Sequence, residues 1–274
     1  MSQREALIVA LADLHCGHFG AITPPDYWYP LDSGDAKIKQ IAQAQREMYE
    51  AYMEDVREFQ KPDVLVVNGD LIEGTGRLTG GTELLTTDVE TQCRIAAQLL
   101  ALWEAKKIIL TYGTSYHTTI DGQDADRFVA TLLAKDGYDV EIHSHAFVKV
   151  NGCVFDVRHY AGRSNLPHTK GTPLGREWFV NLLWAARDEQ PQANVILRAH
   201  IHSFFVAGGA DPDWLAFFQP CWLAAMTKYG ARRCSGTVDV GTLIFGVSAN
   251  GRVSWDVRLK KLMANRREPI EVKV

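Results

Sequence analysis

Residues 6–15 read ALIVALADLH, in which an unbroken apolar run precedes Asp13 and His15. A short run of this kind, rich in branched side chains, is typical of a strand buried on both faces of a sheet. We therefore predict a strand over Ala6–Ala12. Side chains two positions apart point to the same side of an extended backbone, so we expect Asp13 and His15 to converge just beyond this strand.

The same pattern recurs along the chain and alternates with helical periodicity. Further buried strands are predicted over Val64–Asn68, which Asp70 follows, and over Ile108–Tyr112. Apolar residues at three-, four- and seven-residue steps predict a helix before each of these strands, over Ala36–Gln60 and over Thr87–Ala105. This alternation of strands and helices indicates an α/β or layered α+β domain.

The second half of the chain is richer in strands. Asn151-Gly152 and Ala249-Asn250-Gly251 each separate two strand-like runs, and Asn-Gly in that position is a strong hairpin signal. A helix is predicted over Pro173–Arg187 and a buried strand over Asn194–Ala199. No repeat, Pro-rich linker or low-complexity run divides the chain, so we expect a single domain over residues 1–274.

Composition and charge exclude several classes of protein. The chain has 29 basic and 33 acidic residues and a formal charge of -4, so it lacks the broad positive surface that sequence-independent nucleic-acid binding needs. Its N-terminal apolar run is too short for a membrane span and has no small-residue cleavage site after it. We therefore expect a cytoplasmic protein without a membrane partner.

The cysteines predict neither disulfides nor a structural zinc site. Five are present, scattered and without a C-x-x-C pair, which favours free thiols. They are Cys16, Cys93, Cys153, Cys221 and Cys234. A thiol nucleophile at Cys16 or Cys153 is an alternative.

Residues able to bind metal or transfer protons follow the predicted strands. They are Asp13, His15, Asp70, His117, His159, His200 and His202. Open α/β sheets gather their sites in the crevice beyond the carboxyl edge of the strands, so we expect these residues to meet there. Imidazole combined with carboxylate suits Mn, Fe, Zn or Ni better than Ca or Mg, which prefer oxygen ligands. Even without one of these seven residues, six such ligands exceed the needs of one catalytic metal and suit a pair of metals that shares a carboxylate.

Taken in order, these residues resemble the motifs of the calcineurin-like metallophosphoesterase superfamily, which are D-x-H, G-D, G-N-H-D/E, H and G-H-x-H. The matching segments are Asp13-Leu14-His15, Gly69-Asp70, Gly113–His117, His159 and His200-Ile201-His202. The resemblance spans roughly residues 6–205. It implies a four-layer α/β/β/α sandwich of two mixed sheets flanked by helices. It also implies two divalent transition metal ions, Mn foremost, with Fe, Zn or Ni as alternatives.

The third motif departs from the family pattern. It reads Gly113-Thr114-Ser115-Tyr116-His117, so the metal-binding Asn of the family is missing and the His comes two positions later. Thr114, Ser115 or a water would then supply the oxygen in place of the Asn. A segment of this kind is similar to that of phage-borne and prophage-borne members, which implies a phage or bacterial source and a nucleotide or nucleic-acid substrate.

The resemblance also implies a role for each residue. One metal would be held by Asp13, His15 and His202 and the other by His159 and His200, with Asp70 shared between them. His117 would protonate the leaving oxygen or hold the phosphoryl group without binding metal.

The function that the resemblance implies is hydrolysis of phosphomonoesters or phosphodiesters by a metal-bridging hydroxide, with a small phosphoester or nucleotide as substrate. A nuclease of the same superfamily is one alternative, which the acidic net charge does not favour. A non-catalytic metal-binding scaffold is another, which the altered third motif favours and the complete ligand set opposes. The oligomeric state stays open.

Overall fold

The computed structural model describes residues 5–120, 123–162, 164, 167–209, 214–224, 228, 238–263 and 272. Within these residues the helices are α1 (Ala36–Glu58), α2 (Val89–Ala101), α3 (Ser115–Thr118), α4 (Ala125–Lys135) and α5 (Thr172–Ala185). The strands are β1 (Ala6–Ala12), β2 (Val64–Asn68), β3 (Ile108–Thr111), β4 (Thr119–Ile120), β5 (Gln123–Asp124), β6 (Val140–His143), β7 (Ala146–Val150), β8 (Cys153–Val157), β9 (Val195–Arg198), β10 (Phe205–Gly208), β11 (Leu215–Phe218), β12 (Val240–Val247) and β13 (Val253–Lys260). Turns of 3-10 helix lie at Pro25–Tyr27, Arg77–Thr79 and Pro167–Thr169.

The described strands form two mixed sheets and a short β4–β5 ladder. The first sheet has the order β13-β12-β1-β2-β3-β6, with parallel pairing from β1 to β6 and antiparallel pairing of β12 and β13. The second has the order β10-β11-β9-β8-β7, in which β11, β9 and β8 run parallel. The carboxyl ends of the central parallel strands of each sheet therefore form a shared edge where the loops emerge.

Three buried apolar clusters separate the layers. The first packs α1, α2 and α4 against one face of the first sheet, and the second, which contains Phe155 and Phe245, fills the space between the sheets. The third, which contains Leu174 of α5, lies against the outer face of the second sheet. The layer order is therefore helix, sheet, sheet, helix, and the predicted fold class of two mixed sheets flanked by helices is confirmed.

The helices begin where the sequence supplies a cap and a buried stripe. Asp35 accepts the Lys37 N–H at 2.8 Å in front of α1, and Asp88 accepts the Thr91 N–H at 3.1 Å in front of α2. The prediction of a helix over Thr87–Ala105 was too long, because α2 ends at Ala101 and the chain turns through a positive φ of 48° at Glu104. None of the helices that the described residues form is long and apolar enough to cross a membrane.

The predicted hairpin at Asn151-Gly152 is present between β7 and β8. Both turn residues have positive φ, 47° at Asn151 and 88° at Gly152, which is the geometry that matches the twist of two antiparallel strands. Asn tolerates this left-handed conformation better than other residues with a side chain, and glycine adopts it without strain.

The cysteines that the structure describes are buried free thiols, as predicted. Cys234 lies outside the described residues. Burial raises the pKa of the Cys153 thiol to about 12 and that of Cys16 well above its ordinary value. Because the thiolate is the nucleophilic form, neither residue has the environment of a catalytic cysteine.

Candidate metal centre

The residues predicted as metal ligands lie together beyond the carboxyl ends of strands β1, β2, β8 and β9. Their ligand atoms form three overlapping groups, each with all its atoms within 4.8 Å of one another. The groups are Asp13–His15–His202, Asp70–His159–His200 and His15–Asp70–His117. The first two coincide with the ligand sets that the motif resemblance implies, and the third adds His117, which lies on α3.

The first group has the spacing of ligands around one ion. His15 Nε2 lies 3.1 Å from His202 Nε2, and Asp13 Oδ1 lies 3.3 Å from His202 Nε2 and 3.9 Å from His15 Nε2. Ligand atoms that each lie about 2.1 Å from a metal are about 3 Å apart at right angles and about 3.4 Å apart in a tetrahedron. The group therefore fits a divalent transition metal.

The second group adjoins the first and is more open. Asp70 Oδ2 lies 3.1 Å from His159 Nε2 and 4.0 Å from His200 Nδ1. His159 Nε2 is also 3.8 Å from Asp13 Oδ1, so the groups are neighbours. The His200 side chain is 37% exposed, whereas those of Asp70 and His159 are buried. This group therefore faces solvent through His200.

Two buried atoms in these groups have no hydrogen-bond partner. Among the described residues, Asp13 Oδ1 and His159 Nε2 are both buried, and neither makes a hydrogen bond of acceptable geometry: their neighbours at 3.3 and 3.1 Å, His202 Nε2 and Asp70 Oδ2, are themselves candidate ligand atoms. Buried polar atoms are nearly always hydrogen-bonded, because leaving one unsatisfied costs about 1–3 kcal/mol. Both atoms lie on the side where the groups meet, and a cation there would satisfy both. The nitrogen and oxygen donors together fit a divalent metal site.

Three imidazole rings of the site are oriented by a hydrogen bond from Nδ1, the ring nitrogen that faces away from the site. His15 Nδ1 donates to Glu73 Oε2 at 2.9 Å, and His159 Nδ1 donates to the Asn68 carbonyl at 2.7 Å. His117 Nδ1 donates to the Glu73 carbonyl, also at 2.7 Å. A carbonyl only accepts, so Nδ1 of His159 and of His117 carries a proton, and Nε2 is the nitrogen that faces the site.

The carboxylates are oriented in the same way by backbone groups. Asp13 Oδ2 accepts the His200 N–H at 3.1 Å. Asp70 Oδ1 accepts the Thr114 N–H at 2.6 Å and the Thr114 hydroxyl at 3.1 Å. Of the two residues considered for the place of the missing Asn, Thr114 is thus the one against the site, while Ser115 is exposed. Gly113 lies so close to Asp70 that any side chain there would overlap it.

Five of the six candidate ligands have a left-handed backbone. The φ angles are 50° at Asp13, 47° at His15, 48° at Asp70, 72° at His200 and 52° at His202. Asp13 and His15 do converge in one group as expected, but the reason given for it, an extended backbone, was wrong. The chain turns sharply after each strand, and His200 and His202 consequently join different groups. Such conformations cost about 1–3 kcal/mol each and cluster at functional sites.

The pKa values of the site residues result from two opposing effects, burial and nearby opposite charges. Burial alone would raise the pKa of Asp70, but the adjacent His159 holds it well below its ordinary value. Burial would lower the pKa of His159, yet Asp70 and Asp13 raise it to about 10. Burial lowers the pKa of His15, so its ring is neutral and its Nε2 is free to bind a metal.

Two acidic residues of the site were missed by sequence reasoning. Glu73 is 3% exposed and contacts both His15 and His117. Its position three residues after Asp70 was the available signal. Asp126, at the start of α4, accepts the Gly113 N–H at 3.0 Å, and burial raises its pKa to about 7. Nothing in the local pattern distinguished Asp126 from a residue of a helix first turn.

Comparisons with known proteins bear on the fold alone. No family model matches the chain, and no curated protein matches it. Among solved structures, an archaeal phosphodiesterase is similar at 10% identity with a TM-score of 0.45, over 92% of this chain and 99% of that one. Vps29 of Entamoeba histolytica in complex with zinc has 11% identity and a TM-score of 0.41, over 92% and 98%. A predicted phosphoesterase of Streptococcus pneumoniae has 12% identity and a TM-score of 0.36, over 94% and 100%. At these TM-scores the matches say nothing about activity, so any inference about the chemistry of this chain depends on its own residues.

Proposed function

We propose that the chain is a metal-dependent phosphohydrolase that cleaves a phosphomonoester or phosphodiester beyond the carboxyl edge of its two sheets. The observation that carries this proposal is the pair of adjoining donor groups, with two unpartnered buried atoms between them. Two adjoining groups of mixed nitrogen and oxygen donors match the ligand arrangement of a two-metal hydrolase better than that of a single structural ion.

The two ligand sets would be Asp13, His15 and His202 for one ion and His159 and His200 for the other, with Asp70 shared. Bound ions would supply a water of lowered pKa and positive charge for the phosphate oxygens. Manganese is the ion that we propose, with Fe, Zn or Ni as alternatives. Glu73 and Thr114 hold His15 and Asp70 in the orientation that binding requires.

We assign His117 the role of general acid. Its Nδ1 is held by the Glu73 carbonyl, and its Nε2 faces Asp70 Oδ2 at 4.0 Å with the ring 14% exposed. The protonated ring therefore directs an Nε2–H toward the site, where a leaving oxygen would accept it. The His15–Asp70–His117 group supports a competing role for His117 as a ligand, which metal content distinguishes.

For the substrate we propose a small phosphoester, with a nucleotide as the favoured class. The Tyr160 ring is 59% exposed and lies 5.2 Å from the His200 ring, so it offers an aromatic face for a base beside the more open donor group. The net charge of -4 weighs against a nuclease that follows a long polyanion. A phage or bacterial source remains a prediction from the third motif.

The test is Mn-dependent hydrolysis of para-nitrophenyl phosphate and of its bis-ester by the wild-type chain and the Asp70→Asn variant, with metal content measured in parallel. We expect activity in the wild type and its loss in the variant. Asp188→Asn is the matched control, because Asp188 is exposed and also has a positive φ. Stoichiometric metal without hydrolysis of either ester would instead identify a binding scaffold.

A further inference from the structure

Three polar side chains lie buried between the two sheets, directly beneath the candidate ligands. Asn68, Thr111 and Gln219 are each fully buried. Asn68 Nδ2 donates to Gln219 Oε1 at 2.6 Å, and the Thr111 hydroxyl donates to Asn68 Oδ1 at 2.7 Å. The space between the sheets is otherwise filled by apolar residues such as Phe155 and Phe245. We call these three residues the amide bracket.

The amide bracket connects the two sheets through their backbones. Gln219, which follows β11 of the second sheet, donates through Nε2 to the Leu11 carbonyl of the first sheet at 3.3 Å. Asn68 of β2 in the first sheet donates through Nδ2 to two carbonyls of the second sheet, that of Arg158 at 3.3 Å and that of Leu197 at 3.4 Å. The Gln219 N–H also donates to the Arg198 carbonyl at 2.8 Å. The bracket therefore includes or contacts the next-to-last residue of β1, the last residues of β2, β3 and β9, and the residue that follows β8.

All of the contacted strand ends except that of β3 directly precede a candidate ligand. Leu11, Asn68, Arg158 and Arg198 come one or two residues before Asp13, Asp70, His159 and His200, respectively. His159 Nδ1 also donates to the carbonyl of Asn68 itself. A shift of the bracket would therefore move the ligands with little intervening chain to absorb the movement.

Both donor groups draw their ligands from both sheets. In the first group, Asp13 and His15 follow β1 of the first sheet, and His202 follows β9 of the second. In the second group, Asp70 follows β2 of the first sheet, whereas His159 and His200 follow strands of the second. The separation and register of the sheets at this edge thus determine whether either group closes around an ion.

Stability alone does not explain the amide bracket. Apolar side chains of similar volume would fill the same space without removing amides and a hydroxyl from water, and such replacements are often neutral or stabilising. A fully hydrogen-bonded polar network does, however, accept only one register of the groups that it joins. We propose that the amide bracket sets the separation of the two sheets at the carboxyl edge and so positions both donor groups for a pair of metals. This inference rests on the proposed function.

The experiment compares Mn²⁺ binding by the wild type with that of Thr111→Val, Thr111→Ser and Gln219→Met. Titration calorimetry measures the affinity, and electron paramagnetic resonance measures the spin coupling between two bound Mn²⁺ ions. We expect Gln219→Met and Thr111→Val to weaken binding by about 10- to 100-fold, as loss of an outer-shell partner does, and to change the coupling. Thr111→Ser keeps the hydroxyl and should retain wild-type binding.

A matched control distinguishes an effect on the position of the ligands from a general loss of packing between the sheets. Phe245→Leu removes buried volume between the same sheets but no polar contact, so it should lower Tm and leave Mn²⁺ affinity and coupling at their wild-type values. If the folded Thr111→Val and Gln219→Met variants have wild-type Mn²⁺ affinity and coupling, this inference is overturned and the proposed function is not affected. Should Gln219→Met fail to fold, the near-isosteric Thr111→Val decides the question. A wild-type chain that binds none of Mn²⁺, Fe²⁺, Zn²⁺ and Ni²⁺ would refute the proposed function and this inference together.

Discussion

Replacement of Glu73 by alanine should weaken metal binding without unfolding the protein. The Glu73 carboxylate accepts the His15 Nδ1 proton at 2.9 Å, and both side chains are almost fully buried. Without that acceptor, the ring loses its orientation and its fixed tautomer. Outer-shell partners of this kind contribute about 10- to 100-fold to metal affinity, which corresponds to about 1.4–2.7 kcal/mol.

The assay is calorimetric titration of the metal-free chain with Mn²⁺, alongside thermal unfolding to confirm that each variant is folded. Glu73→Gln retains an oxygen that can accept the His15 proton and should lose less affinity than Glu73→Ala. Glu83→Ala is the control, because Glu83 is a buried glutamate of the same loop. Its carboxylate accepts the Lys228 N–H and contacts no candidate ligand among the described residues. Wild-type affinity in Glu73→Ala would refute the conclusion that Glu73 orients His15.

The other predictions concern the acid, a turn and the response to pH. His117→Ala should lower kcat by about 10²- to 10⁴-fold at unchanged metal content if His117 is the general acid, and an equal loss of metal would make it a ligand. Gly113→Ala should abolish Mn²⁺ binding in a calorimetric titration, because the Cβ of the new alanine would overlap Asp70. Burial would raise the pKa of Asp156, but His145 and Arg198 lower it to about 2. The ionised carboxylate therefore stabilises the folded state at pH values above 3.8, the pKa of the unfolded chain. This contribution is lost as the pH falls through 2. In urea unfolding, the stability lost on acidification should be smaller in Asp156→Asn than in the wild type by about 2 kcal/mol.

Much of the fold could be predicted because its signals are local. The apolar runs of β1 and β2 are buried on both faces, and both strands have the predicted bounds. The Asn151-Gly152 turn forms the predicted hairpin for the same reason, since the φ angles that it needs are a property of those two residues. The end of α2 was missed because a helix stops where tertiary contacts cease to support it, and its sequence carries no strong stop signal.

The site was predictable in its members and not in its geometry. Aspartate and histidine just beyond buried strands identified the candidate ligands, because strand ends of one sheet share an edge. The left-handed backbone at five of them, which sends His200 and His202 into different groups, was not predictable from a two-residue spacing. Glu73 was missed because its burial depends on the loops that cover it.

The sequence by itself therefore determined which residue types stand at the strand ends, since apolar patterning acts over a few neighbouring positions. The tertiary structure decided which of them meet. His15 and His202 are 187 residues apart and Asn68 and Gln219 are 151 apart, yet each pair is in contact. Such pairings arise from the packing of one sheet on the other, and the free energy of that packing is spread over the whole apolar layer between them rather than encoded in any single stretch.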